Sequence, residues 1–173
     1  MKTSPKIPEV WFVSMSAIGS PNLLTRPRYS SVLAKYLNNS HEAAHIIVRN
    51  YTLLPSDLIL VIQPEKVPFD TWMAWYVKTT AQGICKLLAT DKQEDRREWF
   101  NLFVNRRGKG NERFWHKVKR RRITSRDQYE ATEIQMLNLP VREGYVSDPD
   151  HYPNGMSSGN RPGIEHTGME FPG

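Results

Sequence analysis

The sequence predicts an α+β fold, and two features of the chain lead to that prediction. The first is Asp57 to Ile62, a short apolar run rich in β-branched residues with proline on both sides, which is typical of a strand buried on both faces of a sheet. The second is the order of patterns along the chain: strand, helix, strand, strand, helix, strand, helix. The first six form a split βαβ arrangement. We therefore expect a ferredoxin-like or RRM-like antiparallel sheet with helices on one face, an additional C-terminal helix and an irregular tail.

The first half of the chain supplies three strands and a helix. Val10 to Ala17 alternates and is rich in aromatic residues, which indicates the first strand. Tyr29 to Leu37 has apolar residues at helical spacing and predicts a short amphipathic helix that Asn38 to Ser40 end. Ala43 to Thr52 is a second strand, and Asp57 to Gln63 is its antiparallel neighbour.

A long helix follows these strands. It begins at Phe69, and its apolar pattern continues to Leu88. The single cysteine, Cys85, lies within that pattern, so we expect a buried, inert thiol. Trp99 to Phe103 predicts a further short helix, and Arg106 to Asn111 a flexible basic loop.

The C-terminal part begins with a strand and a helix. Phe114 to Ile123 starts as a strand and becomes strongly basic. Ser125 to Leu137 is the last helix, with Ser125 as its N-cap and Gln128 three residues later, as in a capping box. We expect residues 1–156 to form one domain and residues 157–173 a tail without periodicity.

Composition limits the functions that the chain can have. Its 173 residues suffice for one domain with a core, and the net charge of +6 suits a polyanionic partner. One cysteine excludes an intramolecular disulfide and a multi-cysteine zinc site. No apolar run approaches the roughly 20 residues of a membrane helix, and no apolar signal core is visible, so we expect a cytoplasmic protein without membrane contact.

The densest charge lies between Arg106 and Arg126, where basic residues are interleaved with Phe114, Trp115 and His116. Phosphates need spaced cations and unpaired bases need flat ring surfaces, so this pattern predicts a nucleic-acid-binding segment. Its cations are Arg106, Arg107, Lys109, Arg113, Lys117, Lys119, Arg120, Arg121, Arg122 and Arg126. The alternative is a solvated charged strand. In either case we expect Trp115 itself in the core, because large aromatic side chains are usually buried.

The chain offers little for metal or cofactor binding. Among five histidines, His41 and His45 alone have a ligand-like spacing, and they lie across a predicted loop-to-strand junction, so we expect no metal and no cofactor. Gly108 to Gly110 lacks the spacing of a phosphate-binding loop. Asp57 is either an acid–base group or, more commonly for this position, a turn residue.

Three stretches carry a resemblance to a known family. They are Trp11 to Ser14, then Leu54 to Val61, and Asn138 to Ser158, which reads NLPVREGYVSDPDHYPNGMSS. Together they resemble the REP-associated tyrosine transposases, the single-strand-specific transposase-like proteins of the HUH class. The resemblance covers about Val10 to Ser158, and it implies recognition of single-stranded nucleic acid.

The departures from the family concern its chemistry. The resemblance implies two metal-binding histidines on the central strand and a nucleophilic tyrosine on the long helix. The matching positions here hold Asp57, Ile59 and Ala81. The resemblance therefore implies a protein that has lost phosphodiester transfer.

Three functional interpretations follow. The first is a catalytically inactive, transposase-derived protein that binds structured single-stranded nucleic acid, a DNA hairpin or RNA, within a larger complex. The second is an adaptor subunit whose tail and basic face contact a protein partner; homodimer formation stays open. The third is a single-strand nicking and joining enzyme with a relocated site, for which Tyr76 with Asp57 is the assignment.

Overall fold

The computed structural model describes residues 8–19, 21–92 and 114–155. Their elements are β1 (Val10–Ala17), α1 (Pro27–Glu42), β2 (Ile46–Leu53), β3 (Asp57–Pro64), α2 (Phe69–Ala89), β4 (Trp115–Ile123), α3 (Arg126–Arg142) and a 3-10 turn at Pro149–His151. This confirms the predicted α+β class. The predicted short helix at Trp99 to Phe103, the basic loop at Arg106 to Asn111 and the tail at 157–173 lie outside the described residues. No helix in the described ranges has the length and hydropathy that crossing a bilayer requires.

The sheet has the predicted topology. Its strand order is β2-β3-β1-β4, and every neighbouring pair is antiparallel. β3 and β1 are therefore central, and β2 and β4 are the two edges of the described sheet. The prediction of a central strand buried on both faces is confirmed, because Leu58 to Ile62 of β3 are all buried.

The two faces of the sheet are covered by different helices. On one, which we call the α1/α2 face, Val13 and Leu60 pack in a core with Leu33 of α1 and Tyr76 of α2. Cys85 is buried in the same core, as predicted. On the other, the α3 face, a smaller apolar cluster is formed by the side chains Val10, Ile59, Val61, Ile123, Tyr129, Met136 and Tyr152.

The first helix is longer than the sequence predicts. The polar run Asn38 to Ser40 does not end it, and the helix continues to Glu42. The Ser40 hydroxyl donates to the Tyr36 carbonyl at 2.8 Å and accepts from the Trp72 indole N–H at 3.0 Å. Because both hydrogen bonds form within the helical conformation, this serine does not compete with the helix as serine otherwise tends to do.

The last helix also extends further than predicted, through Pro140 to Arg142. Proline cannot donate to the carbonyl four residues earlier, which belongs to Met136. The buried hydroxyl of Thr52 on β2 donates to that carbonyl at 3.3 Å, so the carbonyl keeps a partner. The helix ends at Arg142, and Gly144 beyond it has a φ of +81°. The Gly144 N–H donates to the Val141 carbonyl and the Tyr145 N–H to the Pro140 carbonyl, which together form a Schellman C-cap.

The predicted N-cap of the last helix is present. Ser125 has an extended backbone, and its hydroxyl accepts from the Gln128 N–H at 3.2 Å. The Gln128 side chain reaches back to the N–H of Thr124 at 2.9 Å. The two residues thus satisfy backbone donors on both sides of the helix start.

We expect Ser125→Ala to lower the free energy of unfolding by about 1 kcal/mol, because the Gln128 N–H loses its acceptor. Urea unfolding followed by circular dichroism measures the change. Ser125→Asp is the matched control and should keep the wild-type stability, since a carboxylate caps as well as a hydroxyl does. Equal stability of the alanine variant and the wild type would contradict the cap.

Candidate nucleic-acid interface

The basic strand β4 is an exposed edge. Residues 116–122 are all exposed, between the buried Trp115 and Ile123 at its ends. Within the described residues, no strand pairs beyond β4, and α1, α2 and α3 leave both of its sides open to solvent. The predicted cations of this strand are therefore available at the surface.

The strand register divides these cations between the two faces of the sheet. The register pairs Lys117 with Ser16, Lys119 with Ser14, Arg121 with Phe12, Arg120 with Val13 and Arg122 with Trp11. Phe12 packs with the α3 cluster, whereas Val13 lies in the α1/α2 core. Lys117, Lys119 and Arg121 therefore share the α3 face, and Arg120 and Arg122 share the α1/α2 face.

Two of these arginines have partners in the protein. Arg120 forms an ion pair with Asp70 at the start of α2. Arg121 lies over the Phe12 ring, 5.3 Å from its centroid, and donates to the Thr132 hydroxyl of α3 at 3.1 Å. These contacts hold both guanidinium groups against the protein.

The remaining cations of the predicted set differ in their surroundings. Within the described part of the chain, the side chains of Lys117, Lys119 and Arg122 make no hydrogen bond or ion pair. Arg126 pairs with Glu130 one turn later at 2.9 Å, on an exposed helix surface. The other predicted cations, Arg106, Arg107, Lys109 and Arg113, lie outside the described residues.

A cavity of about 310 Å³ lies on the α3 face, between the sheet and the C-terminal half of α3. Its polar lining consists of Ser14, Asp57, Lys119, Gln135, Arg142 and Glu143. Its apolar lining consists of Phe12, Leu54, Ile59, Met136 and Leu139. The cavity thus places the cation of β4 and the cation at the end of α3 around one polar floor.

Asp57 forms part of that floor. The Ser16 hydroxyl donates to Asp57 Oδ1 at 2.5 Å, across the β1–β3 pair. The backbone carbonyl of Asp57 also accepts from the Leu54 N–H at 2.8 Å, within the tight hairpin. The residue therefore serves the turn, as is common for aspartate, and also presents a carboxylate to the cavity.

Comparison with known proteins identifies a fold. No protein-family model and no curated protein sequence matches the chain significantly. Among solved structures, the chain is similar to a REP-associated tyrosine transposase bound to a REP hairpin. That comparison has a TM-score of 0.62 and 14% identity, and it covers 90% of this chain and 80% of the other.

The fold is that of the REP-associated tyrosine transposase. A second structure, described as a candidate transposase from Deinococcus radiodurans, gives a TM-score of 0.41 at 11% identity over 80% of this chain and 96% of that one. The first confirms, for the fold, the resemblance that the sequence suggested.

The side chains of this transposase-like chain do not fit the metal site that the resemblance implies. Asp57 and Ile59 both lie on the α3 face, at the two positions matched to histidines. Ile59 is buried within the apolar cluster and has no donor atom. In the described ranges, no group of three histidine, cysteine or carboxylate side chains comes together. Asp57 beside serine hydroxyls, with Glu143 as the other carboxylate of the cavity lining, is a poor donor set for a divalent ion.

The match of Ala81 to the nucleophilic tyrosine is wrong, and so is the assignment of Tyr76 with Asp57 to a relocated site. Ala81 and Tyr76 lie on α2, in the core of the α1/α2 face, so the sheet separates both from Asp57. The Tyr76 hydroxyl donates to the Leu33 carbonyl at 3.2 Å, and complete burial raises the pKa of Tyr76 well above its ordinary value. Sequence alignment could not reveal this, because it does not state which face a helix covers.

The helix that covers Asp57 is α3, and it carries a single tyrosine, Tyr129. Tyr129 is buried in the α3 cluster and does not line the cavity. Burial, assisted by the neighbouring Glu133 carboxylate, raises the pKa of Tyr129 above its ordinary value. In this arrangement its hydroxyl is kept protonated and away from Asp57.

Trp115 lies in the core, as the sequence predicts. It is 4% exposed, packs edge-on against Phe114 and donates its indole N–H to the Thr80 hydroxyl at 2.9 Å. It is therefore unavailable for stacking on a base. Ser14, Gln135 and Arg142 could not be predicted as site residues, because they line the cavity only through the packing of α3 and no local sequence signal marks them.

Proposed function

We propose that this transposase-like chain binds structured single-stranded nucleic acid, a DNA hairpin with an unpaired flank, without cutting it. The observation that carries the proposal is the pair Lys117 and Lys119, which have no partner in the described residues and stand on the α3 face beside the cavity. Binding is therefore assigned to that face.

The spacing of the cations suits a phosphate backbone. Alternate residues of a strand lie about 6.8 Å apart, so Lys117 and Lys119 can contact different phosphates. Arg142, at the C-terminal end of α3, provides a cation at the cavity from the other element, with Glu143 as a loose, exposed partner at 3.9 Å. A single strand passing between β4 and α3 would meet positive charge on both sides.

The side chains around Asp57 support the absence of cutting. Nicking by the family that the chain resembles needs metal ligands and a tyrosine nucleophile, and the positions matched to the metal ligands hold Asp57 and Ile59. The tyrosine of α3, Tyr129, is buried away from the cavity. A chain that binds without cutting needs another protein for the chemistry, so we place it within a larger complex.

A hairpin is the first ligand to test, because a protein of this fold has been solved bound to a REP hairpin. The experiment is a fluorescence-anisotropy titration, at several salt concentrations, of a labelled DNA hairpin with a single-stranded flank. We expect the flanked hairpin to bind more tightly than blunt duplex, with log Kd rising linearly with log salt as counterions are released.

Competitors separate the ligand classes. Linear single strand, duplex and an RNA copy of the hairpin compete against the labelled DNA. Stronger competition by the RNA copy would replace DNA with RNA as the ligand. Weak, salt-independent binding of every form would contradict the proposal.

A second candidate function, a subunit that docks on a protein, is favoured by one observation. Ile134 and Leu137 of α3 are 61% and 40% exposed and line an open groove of about 430 Å³ with Pro140. Adjacent exposed apolar side chains of this size often mark interaction surfaces. Size-exclusion chromatography with light scattering, with Leu137→Glu as the variant, tests whether a second copy covers this groove.

A further inference from the structure

A carboxylate that has no cationic partner in the described residues is the feature of the cavity that phosphate binding does not explain. The cavity is lined by two cations, Lys119 and Arg142, and by two carboxylates; Glu143 lies 3.9 Å from the Arg142 guanidinium, whereas Asp57 has a hydroxyl as its partner. A carboxylate repels phosphate, so it weakens a site that serves the backbone alone. The group of the nucleic acid that Asp57 faces must therefore be a hydrogen-bond donor.

The carboxylate is held in a fixed orientation. The Ser16 hydroxyl binds Oδ1 at 2.5 Å from the neighbouring strand. Within the described ranges, the Asp57 side chain has no other hydrogen bond or ion pair. An ionised carboxylate offers about four lone-pair positions, so roughly three stay open for a ligand.

We propose that Asp57 reads an unpaired guanine of the bound strand, an inference that rests on the proposed function. Guanine presents two adjacent donors on its Watson–Crick edge, the ring N1–H and the 2-amino group, which match the two oxygens of one carboxylate. Cytosine and adenine present an amino group beside an acceptor nitrogen, and thymine presents its N–H between two carbonyls. Proteins read unpaired bases through this edge.

The cavity has the size and lining that a single base requires. Its volume of about 310 Å³ falls at the lower end of the range of small-molecule sites. Phe12, Met136 and Leu139 supply apolar surface for a flat ring. Lys119 and Arg142 line the same cavity and supply cations for the phosphate of the same nucleotide.

The experiment compares DNA hairpins with identical stems and thymine flanks in which one flank position is guanine, inosine, adenine, cytosine or thymine. We expect the best guanine-containing flank to bind on the order of tenfold more tightly than the thymine flank. Inosine lacks the 2-amino group, so the inosine flank should have an affinity between those of the guanine flank and the thymine flank. Scanning the substitution along the flank locates the nucleotide that enters the cavity.

Asp57→Asn is the informative variant, because it retains the Ser16 hydrogen bond but replaces one acceptor oxygen with a donor. It should lose the guanine preference and keep, or increase, its affinity for the thymine flank. Glu42→Gln is the matched control: it removes the same charge from an exposed position at the end of α1 and should keep the preference.

The outcomes distinguish the two proposals. If the wild type binds no hairpin, the proposed function fails and the guanine site with it. If the wild type binds the hairpins without a base preference, or if Asp57→Asn keeps the preference, the guanine site is overturned while the binding function stands.

Discussion

Replacing Lys117 and Lys119 together by glutamine should weaken binding of the flanked hairpin on the order of tenfold or more. Both side chains are exposed on the α3 face and are unpartnered in the described residues, so their charge is available to phosphates. The slope of log Kd against log salt should fall by about 1.4 to 1.8, because each neutralised phosphate contributes about 0.7 to 0.9. Anisotropy titrations at four salt concentrations measure both quantities.

The matched control is Arg120→Gln with Arg122→Gln, which removes the same charge from the same strand on the opposite face. Arg120 is already paired with Asp70, so this variant should bind nearly as the wild type does. If the two double variants lose equal affinity, net charge rather than the α3 face governs binding. That result would contradict the assignment of nucleic-acid binding to the α3 face.

Charged residues on an exposed edge strand have another established use. They prevent the edge from pairing with strands of other molecules. Under this alternative, the Lys117 and Lys119 variant would aggregate while its monomer kept full affinity. Sedimentation velocity of the variant, run beside the titrations, separates loss of solubility from loss of binding.

Much of the fold could be predicted because the signals are local. β1 has the predicted bounds, since its alternating pattern depends on residues next to one another. The N-cap at Ser125 is a local hydrogen bond as well. The predicted C-terminal ends of α1 and α3 were wrong because both ends depend on residues far away in the sequence. Ser40 accepts a hydrogen bond from Trp72. The carbonyl of Met136, which Pro140 leaves without its helical donor, accepts one from Thr52.

The candidate site could be predicted only in part, for the same reason. The basic strand can be recognised from its composition. Which of its cations lie on which face of the sheet can be read only from the register of β4 with β1. The cavity needs the packing of α3 on the face opposite α2, which also explains why Ala81 was wrongly matched to a site residue. Gly83 lies inside α2, where glycine ordinarily weakens a helix. In the fold, a Cβ there would lie 2.9 Å from Val32 Cγ1, so α1 and α2 could not pack this closely around a larger residue without a shift.

Trp115→Ala should lower the free energy of unfolding by about 3 to 5 kcal/mol, the usual cost of removing a buried tryptophan side chain. The indole is 4% exposed, packs with Phe114 and binds the Thr80 hydroxyl, so its removal leaves a cavity at the start of β4. Urea unfolding followed by circular dichroism measures the loss. A tryptophan that stacked on bases would instead reduce binding and leave stability unchanged.

Trp115→Phe separates packing from hydrogen bonding. It keeps an aromatic ring and removes the indole N–H, while the Thr80 hydroxyl still donates to the Tyr76 carbonyl at 2.7 Å. We expect it to cost about 1 to 2 kcal/mol and to leave hairpin affinity unchanged under conditions where the variant is folded. A folded Trp115→Phe protein with reduced hairpin affinity would contradict the assignment of Trp115 to the core alone.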